Sequence, residues 1–175
     1  MISPDPVSQP SEYQALLLGY LGDQDPAEVQ RRTPGVAASL VSEAGDLLRI
    51  RPEEKEWSVL ELIGHLHDAE LVSGARYRWI LAQDRPSLIG YDQDLWVERL
   101  RHNQGDPAAL LATFAALRTA NLGLWWGITQ EERDREGDHV ERGRESIDLM
   151  FRMLGGHDLF HIEQMTRTLA AVREG

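Results

Sequence analysis

Apolar side chains in this sequence return every third or fourth residue over four long stretches, and no stretch sustains a period-two alternation of β-branched residues. The last stretch is the most regular. Ile147, Met150, Leu154, His157, His161, Gln164 and Thr168 are spaced 3, 4, 3, 4, 3 and 4 apart, which predicts one helix from about Ser146 to Val172 with a narrow stripe facing a bundle core. A second seam runs Leu110, Phe114, Leu117, Asn121, Leu124, Ile128, begun by Asp106 as N-cap and Pro107 at the first helical position. A third runs Leu62, His65, Ala69, Val72, Trp79; a capping box at Ser58–Glu61 opens it and Arg85-Pro86 stops it. The fourth, Val36, Leu40, Ala44, Leu47, Leu48, is expected to start at Thr33-Pro34 and end before Pro52.

Shorter helices are predicted at Tyr13 to Leu21 behind a capping box at Ser11–Gln14, after Asp25-Pro26, between Gln93 and Leu100, and at Gln130 to Arg133. Together these elements predict an all-α protein. A four-helix bundle occupies 36–175, residues 1–35 form an N-terminal extension of short helices packed on it, and no sheet is expected.

Composition narrows the chemistry. With no cysteine, any transition-metal site must use histidine and carboxylates, and a sulfur nucleophile would have to come from elsewhere. A net charge of −11 argues against a nucleic-acid surface, which needs clustered Lys and Arg. The sequence offers no obvious apolar run of about 18 residues, so no membrane span is expected. Met1 to Pro10 is polar and proline-bearing and does not read as a signal peptide, which makes the cytoplasm the expected address.

Within the last helix two imidazoles stand where leucine would be the default. His157 and His161 are four apart and so lie one above the other on one face, where both rings can reach a common point. Burying them without partners is costly, and a metal ion is one partner that serves both; hydrogen-bonded core histidines are the plainer alternative. Of the other four histidines only His65 sits on a seam. His67 is expected to face solvent or a groove, and His102 and His139 to be solvated in polar connections. His65, His157 and His161 would then make a three-nitrogen site with open positions. Asp68 could orient His65 or be a surface charge, Glu61 is read mainly as a cap, and Gln164 and Asn121 could contact a ligand or bridge helices. A ferritin-like di-iron site fails on spacing, since Glu136 and His139 give the only Glu-x-x-His match. A zinc-protease helix fails because Asp158 replaces the required Glu.

Trp57-Ser58-Val59-Leu60-Glu61-Leu62-Ile63-Gly64-His65-Leu66-His67-Asp68-Ala69-Glu70, the loop Tyr91 to Trp96, and His157-Asp158-Leu159-Phe160-His161-Ile162-Glu163-Gln164 together resemble the DinB/YfiT-like superfamily. The likeness spans roughly Val36 to Val172. It implies a four-helix bundle with a non-sequential connection, often a homodimer, and a divalent metal, zinc or nickel, on His65, His157 and His161. It also implies a small-molecule substrate and a metal-dependent transferase using a low-molecular-weight thiol such as bacillithiol or mycothiol. A metal with an open position would bind such a thiol as thiolate or activate water, so a hydrolase is the alternative on the same site. A non-catalytic, dimeric helical binding protein is the alternative of another class. No catalytic acid or base can be assigned from the sequence.

Overall fold

Local signals set most of the element boundaries in the computed structural model, which describes residues 8–174. The helices are α1 (Pro10–Leu21), α2 (Pro26–Ala44), α3 (Val59–Ala82), α4 (Gln93–Arg99), α5 (Pro107–Gly127), α6 (Gln130–Arg133) and α7 (Ile147–Glu174). The capping box of α3 forms as expected: Glu61 N donates to Ser58 Oγ at 3.2 Å and Ser58 N to the Glu61 carboxylate at 2.8 Å. Arg51 also pairs with Glu61, so that carboxylate belongs to the helix start. Asp25 and Asp106 each accept a backbone N–H two residues on, at 2.9 Å, with Pro at the first helical position.

Three expectations are corrected. No cap forms at Ser11; α1 starts at Pro10 with Gln9 as its N-cap. Thr33-Pro34 does not begin a helix, because α2 already starts at Pro26 and runs unbroken through Pro34. The Thr33 hydroxyl turns back to Val29 O at 3.0 Å and inward to Asp158, so tertiary contacts outweigh its capping tendency. The division expected at 35/36 consequently falls inside α2, while the polar stretch read at 1–10 lies, for residues 1–7, outside the described residues.

The third correction is a small sheet of β1 (Ser87–Leu88), β2 (Glu136–His139) and β3 (Gly143–Ser146) in the order β1-β2-β3. Leu88 pairs parallel with His139, and β2 and β3 pair antiparallel. Strands of two to four residues are too short and too polar to leave an alternating signal in the sequence.

The four long helices α2, α3, α5 and α7 make the bundle. Helix α2 packs mainly against α7 and α5, and α3 against the same two. Consecutive helices α2 and α3 therefore lie across a diagonal, which is the non-sequential connection. Two apolar clusters fill the interior. One gathers Leu60, Ile63 and Leu66 of α3 with Phe114 and Met165; the other gathers Tyr77, Ile80, Leu122, Trp125 and Phe151. Between them, on every long helix, the buried residues turn polar: Thr33, His65 and Glu70, Arg118 and Asn121, His157, Asp158 and His161.

Not every seam residue is inside. Trp79 is 40% and Val36 42% exposed, whereas Trp125 is buried with its ring stacked 3.8 Å from Phe151. Its neighbour Trp126 points outward, as adjacent helix residues must. Helix α5 is, by length and composition, apolar enough to cross a membrane, contrary to the expectation that no segment qualifies; 28% of that window is buried in the protein.

Candidate metal centre

Polar residues in mid-bundle need partners, and the belt between the two cores solves this in two ways. On one side of α7 it is an ion network. Arg118 donates to Asp158 through Nη1 at 2.5 Å and Nη2 at 3.0 Å, and Thr33 Oγ1 donates to the same carboxylate at 2.8 Å. Arg118 Nε lies 2.8 Å from Glu70 Oε2, close enough for an ion pair although the angle falls short of a hydrogen bond. Burial alone would lower the pKa of Arg118, but the adjoining Asp158 and Glu70 carboxylates overcome this and hold it above its usual range. Burial pushes Glu70 up against the pull of Arg118.

Asn121 completes this network rather than meeting the histidines. Its amide donates to Glu70 Oε1 at 2.7 Å and its carbonyl accepts from Arg78 at 2.8 Å. Asp158, at the position a zinc protease gives to its general base, is consumed here as a structural anion.

On the other side the belt is imidazole. His65 from α3 and His157 and His161 from α7 converge, each buried, with one ring nitrogen apiece lying within 4.8 Å of the others. His65 Nε2 and His157 Nε2 are 2.9 Å apart, and the ring centroids are separated by 4.3 to 4.9 Å. The i, i+4 spacing aligns the pair on α7, and packing of α3 against α7 delivers the third ring.

Burial lowers all three pKa values: His65 falls to about 4, with Asp68 partly opposing, and His157 and His161 fall well below the ordinary imidazole value. The rings are therefore neutral near pH 7 and able to offer lone pairs.

The group fits a divalent cation. Three neutral imidazole nitrogens with no carboxylate or thiolate among them suit a divalent transition-metal ion. A separation of 2.9 Å is what two nitrogens about 2.0–2.1 Å from one ion subtend near a right angle. Gln164 Oε1 accepts from His161 Nδ1 at 2.9 Å, which fixes the tautomer and leaves Nε2 as that ring's lone-pair nitrogen. Buried His157 Nδ1 has no partner among the described residues.

Asp68 stands one layer further out. His102 Nε2 donates to it at 2.7 Å and His67 Nδ1 at 3.1 Å, and these bonds hold its carboxyl below the usual range although burial alone would raise it. It is not in hydrogen-bond contact with His65. His102, expected in solvent, is buried, because its ring lies against Gly64, where an added Cβ would come within 2.3 Å of it. His139 is buried as well. Its Nδ1 accepts from the backbone of Glu141 and Arg142 at 3.2 and 3.3 Å and so caps the β2–β3 turn. His67 stays partly exposed.

Two clefts reach the imidazoles. The first, about 100 Å³, is lined by His65 and His157 together with Arg76, Tyr91, Glu141 and Arg142. The second, about 420 Å³, is bounded by Lys55, Trp57, Phe160, His161 and Gln164. Tyr13 of α1 and Gln93 of α4 line both. Helix α1 comes close because α7 offers Gly156, where any Cβ would stand 1.8 Å from Leu17 O. Of these residues the sequence marked His65, His157, His161, Asp68 and Gln164; Tyr13, Arg76 and Arg142 were missed. Arg76 was legible in principle, since 65, 69, 72 and 76 continue one helical face.

A family model described as the DinB superfamily matches residues 14–165. The chain is 25% identical over 118 residues to YfiT of Bacillus subtilis (strain 168), which is named as a candidate metal-dependent hydrolase. That match covers 65% of this chain and 66% of the relative, just under two thirds of its length. The solved structure of Bacillus subtilis YfiT, described as an unusual four-helix bundle, superposes with a TM-score of 0.74 at 19% identity, covering 91% of this chain and 89% of that one. At that identity the superposition speaks to the fold.

Proposed function

Because the chain belongs to the DinB superfamily, we propose that it is a metal-dependent hydrolase whose divalent cation, zinc or nickel, is held by His65, His157 and His161. The observation carrying this is the convergence of three buried, neutral imidazoles from two helices. The name of the relative points the same way. When bound, such a cation with an open position brings the pKa of a water or thiol ligand toward neutrality. The chain's own residues do the rest. Gln164 orients His161, Asp68 fixes the rings of His102 and of His67 on α3, and Trp57 packs its ring 5.0 Å from that of His65.

A second reading, a thiol-dependent S-transferase, is favoured by one observation: two adjoining clefts reach the imidazoles, which would give room for two small-molecule substrates. The chain has no cysteine, so the sulfur would arrive as a co-substrate such as bacillithiol or mycothiol. We propose further that the chain works as a homodimer, with the exposed side of α5 around Trp126 as the contact; sedimentation of wild type against Trp126→Glu tests this.

Elemental analysis of protein purified without a histidine tag decides the central point. One zinc or nickel per chain, lost in His157→Ala, is expected. Ester or amide hydrolysis that stops with chelator and returns with metal supports the hydrolase, and thiol conjugation to an electrophile supports the transferase. A protein that takes up no metal, with a stability indifferent to added zinc, would leave a non-catalytic binding bundle.

A further inference from the structure

Arg76 is a buried cation with no ion-paired carboxylate among the described residues. Its side chain lies in a residue only 6% exposed, Nη2 donates to Ile89 O at 2.5 Å, and buried Nε has no partner among the described residues. No carboxylate of the described residues stands within ion-pair distance of it. Glu145, on the neighbouring strand, is occupied by Arg142 through two bonds of 2.6 and 2.8 Å. An uncompensated guanidinium in an interior is costly, and this one faces a cleft. Burial, with the like charge of Arg142 second, pulls its pKa down, and the more distant Glu145 carboxylate offsets this only in part.

We propose that Arg76 binds the carboxylate of the substrate, so that the first cleft takes an extended monocarboxylic acid with an apolar body and presents its far end to His65 and His157. This rests on reading the imidazole cluster as the reactive end. Arg76 and His65 line the same cleft from the same face of α3, eleven residues apart, which is about 16 Å along a helix. Side chains on a helix lean toward its N-terminus, and the arginine, being longer than the histidine, leans further, which shortens that gap somewhat. The wall between is apolar, with Leu17, Ala69, Val72, Met150, Met153 and Leu154. A medium-length acid spans it; acetate does not.

The charge balance selects a single negative charge. Arg142 is paired with Glu145, and Glu141 on the same cleft offsets part of the remaining positive charge of Arg76 without pairing with it, so a ligand with more than one negative charge is disfavoured. A planar guanidinium with free donors matches a planar carboxylate in paired hydrogen bonds.

The test is calorimetric binding of octanoate, octanol and octyl phosphate to the full chain treated with chelator, so that no metal is required. Octanoate is expected to bind at least about tenfold more tightly than octanol, the share of one or two charge-assisted hydrogen bonds. Arg76→Met should remove that preference while leaving octanol binding unchanged, and Arg76→Lys should keep part of it. Equal binding of octanoate and octanol to the wild type, a comparison needing no variant, overturns the proposal. So does an unchanged octanoate affinity in a folded Arg76→Met protein, and tighter binding of octyl phosphate overturns the choice of a monoanion. If octanoate binds through Arg76 but the protein takes up no metal, the anchor stands and the catalytic reading falls.

Discussion

Asp158→Asn separates a structural from a catalytic reading of the His-Asp-x-x-His stretch. Asp158 is fully buried and accepts three hydrogen bonds, two from Arg118 and one from Thr33. An amide in its place carries no charge and turns an NH2 toward one of these donors. Arg118 would keep only Glu70, a contact of poor hydrogen-bond angle. Breaking one side of a buried ion pair costs about 3–5 kcal/mol. Against a total stability of about 5–15 kcal/mol that is a large share. For a chain of this length each kcal/mol moves Tm by about 2–4 °C, so a fall of roughly 6–20 °C is expected. The assay is urea denaturation and a thermal scan, run beside metal content and turnover of the molecules that remain folded. Stability should drop while metal per folded chain stays as in wild type. An unchanged denaturation midpoint with turnover abolished would refute the reasoning and return Asp158 to the role of general base.

Other expectations follow from the same geometry. Gly156→Ala places a Cβ against Leu17 O, so α1 must lift; Leu17 and Leu21 lose burial worth up to about 3–6 kcal/mol, and protease cleavage of the α1–α2 segment should accelerate. Unchanged protease resistance would show that α1 adjusts in place. In metal-free protein the folded pKa values of His65, His157 and His161 lie below the unfolded value near 6.5, so the unfolded chain takes up protons first as pH falls. Stability present above about pH 6.5 should be lost toward pH 4, with His65 alone contributing about 3 kcal/mol, and a urea midpoint flat across that window would contradict the burial of these rings. Gln164→Leu should weaken zinc or nickel binding about 10- to 100-fold in a competition titration, because the acceptor that orients His161 is gone. An affinity equal to wild type would mean that packing alone holds the ring.

What the sequence determined by itself is whatever depends on near neighbours along the chain. Three-and-four spacing and the caps at Asp25, Ser58 and Asp106 specify helices, because a helix face and a helix start are each built from residues within a few positions. The pairing of His157 with His161 is legible for the same reason. Tertiary structure decided the rest. It carried α2 through Pro34 by drawing Thr33 to Asp158, and it assembled β1 to β3 from pieces too short to show a period. It buried His102 and His139, which lie in polar connections whose surroundings come from distant elements. Arg118 between Glu70 and Asp158, and Arg76 with no ion-paired carboxylate among the described residues, are likewise facts about which elements lie side by side. Spacing along one helix fixes the direction of a side chain, but only the packing of α3, α5 and α7 fixes what it meets there.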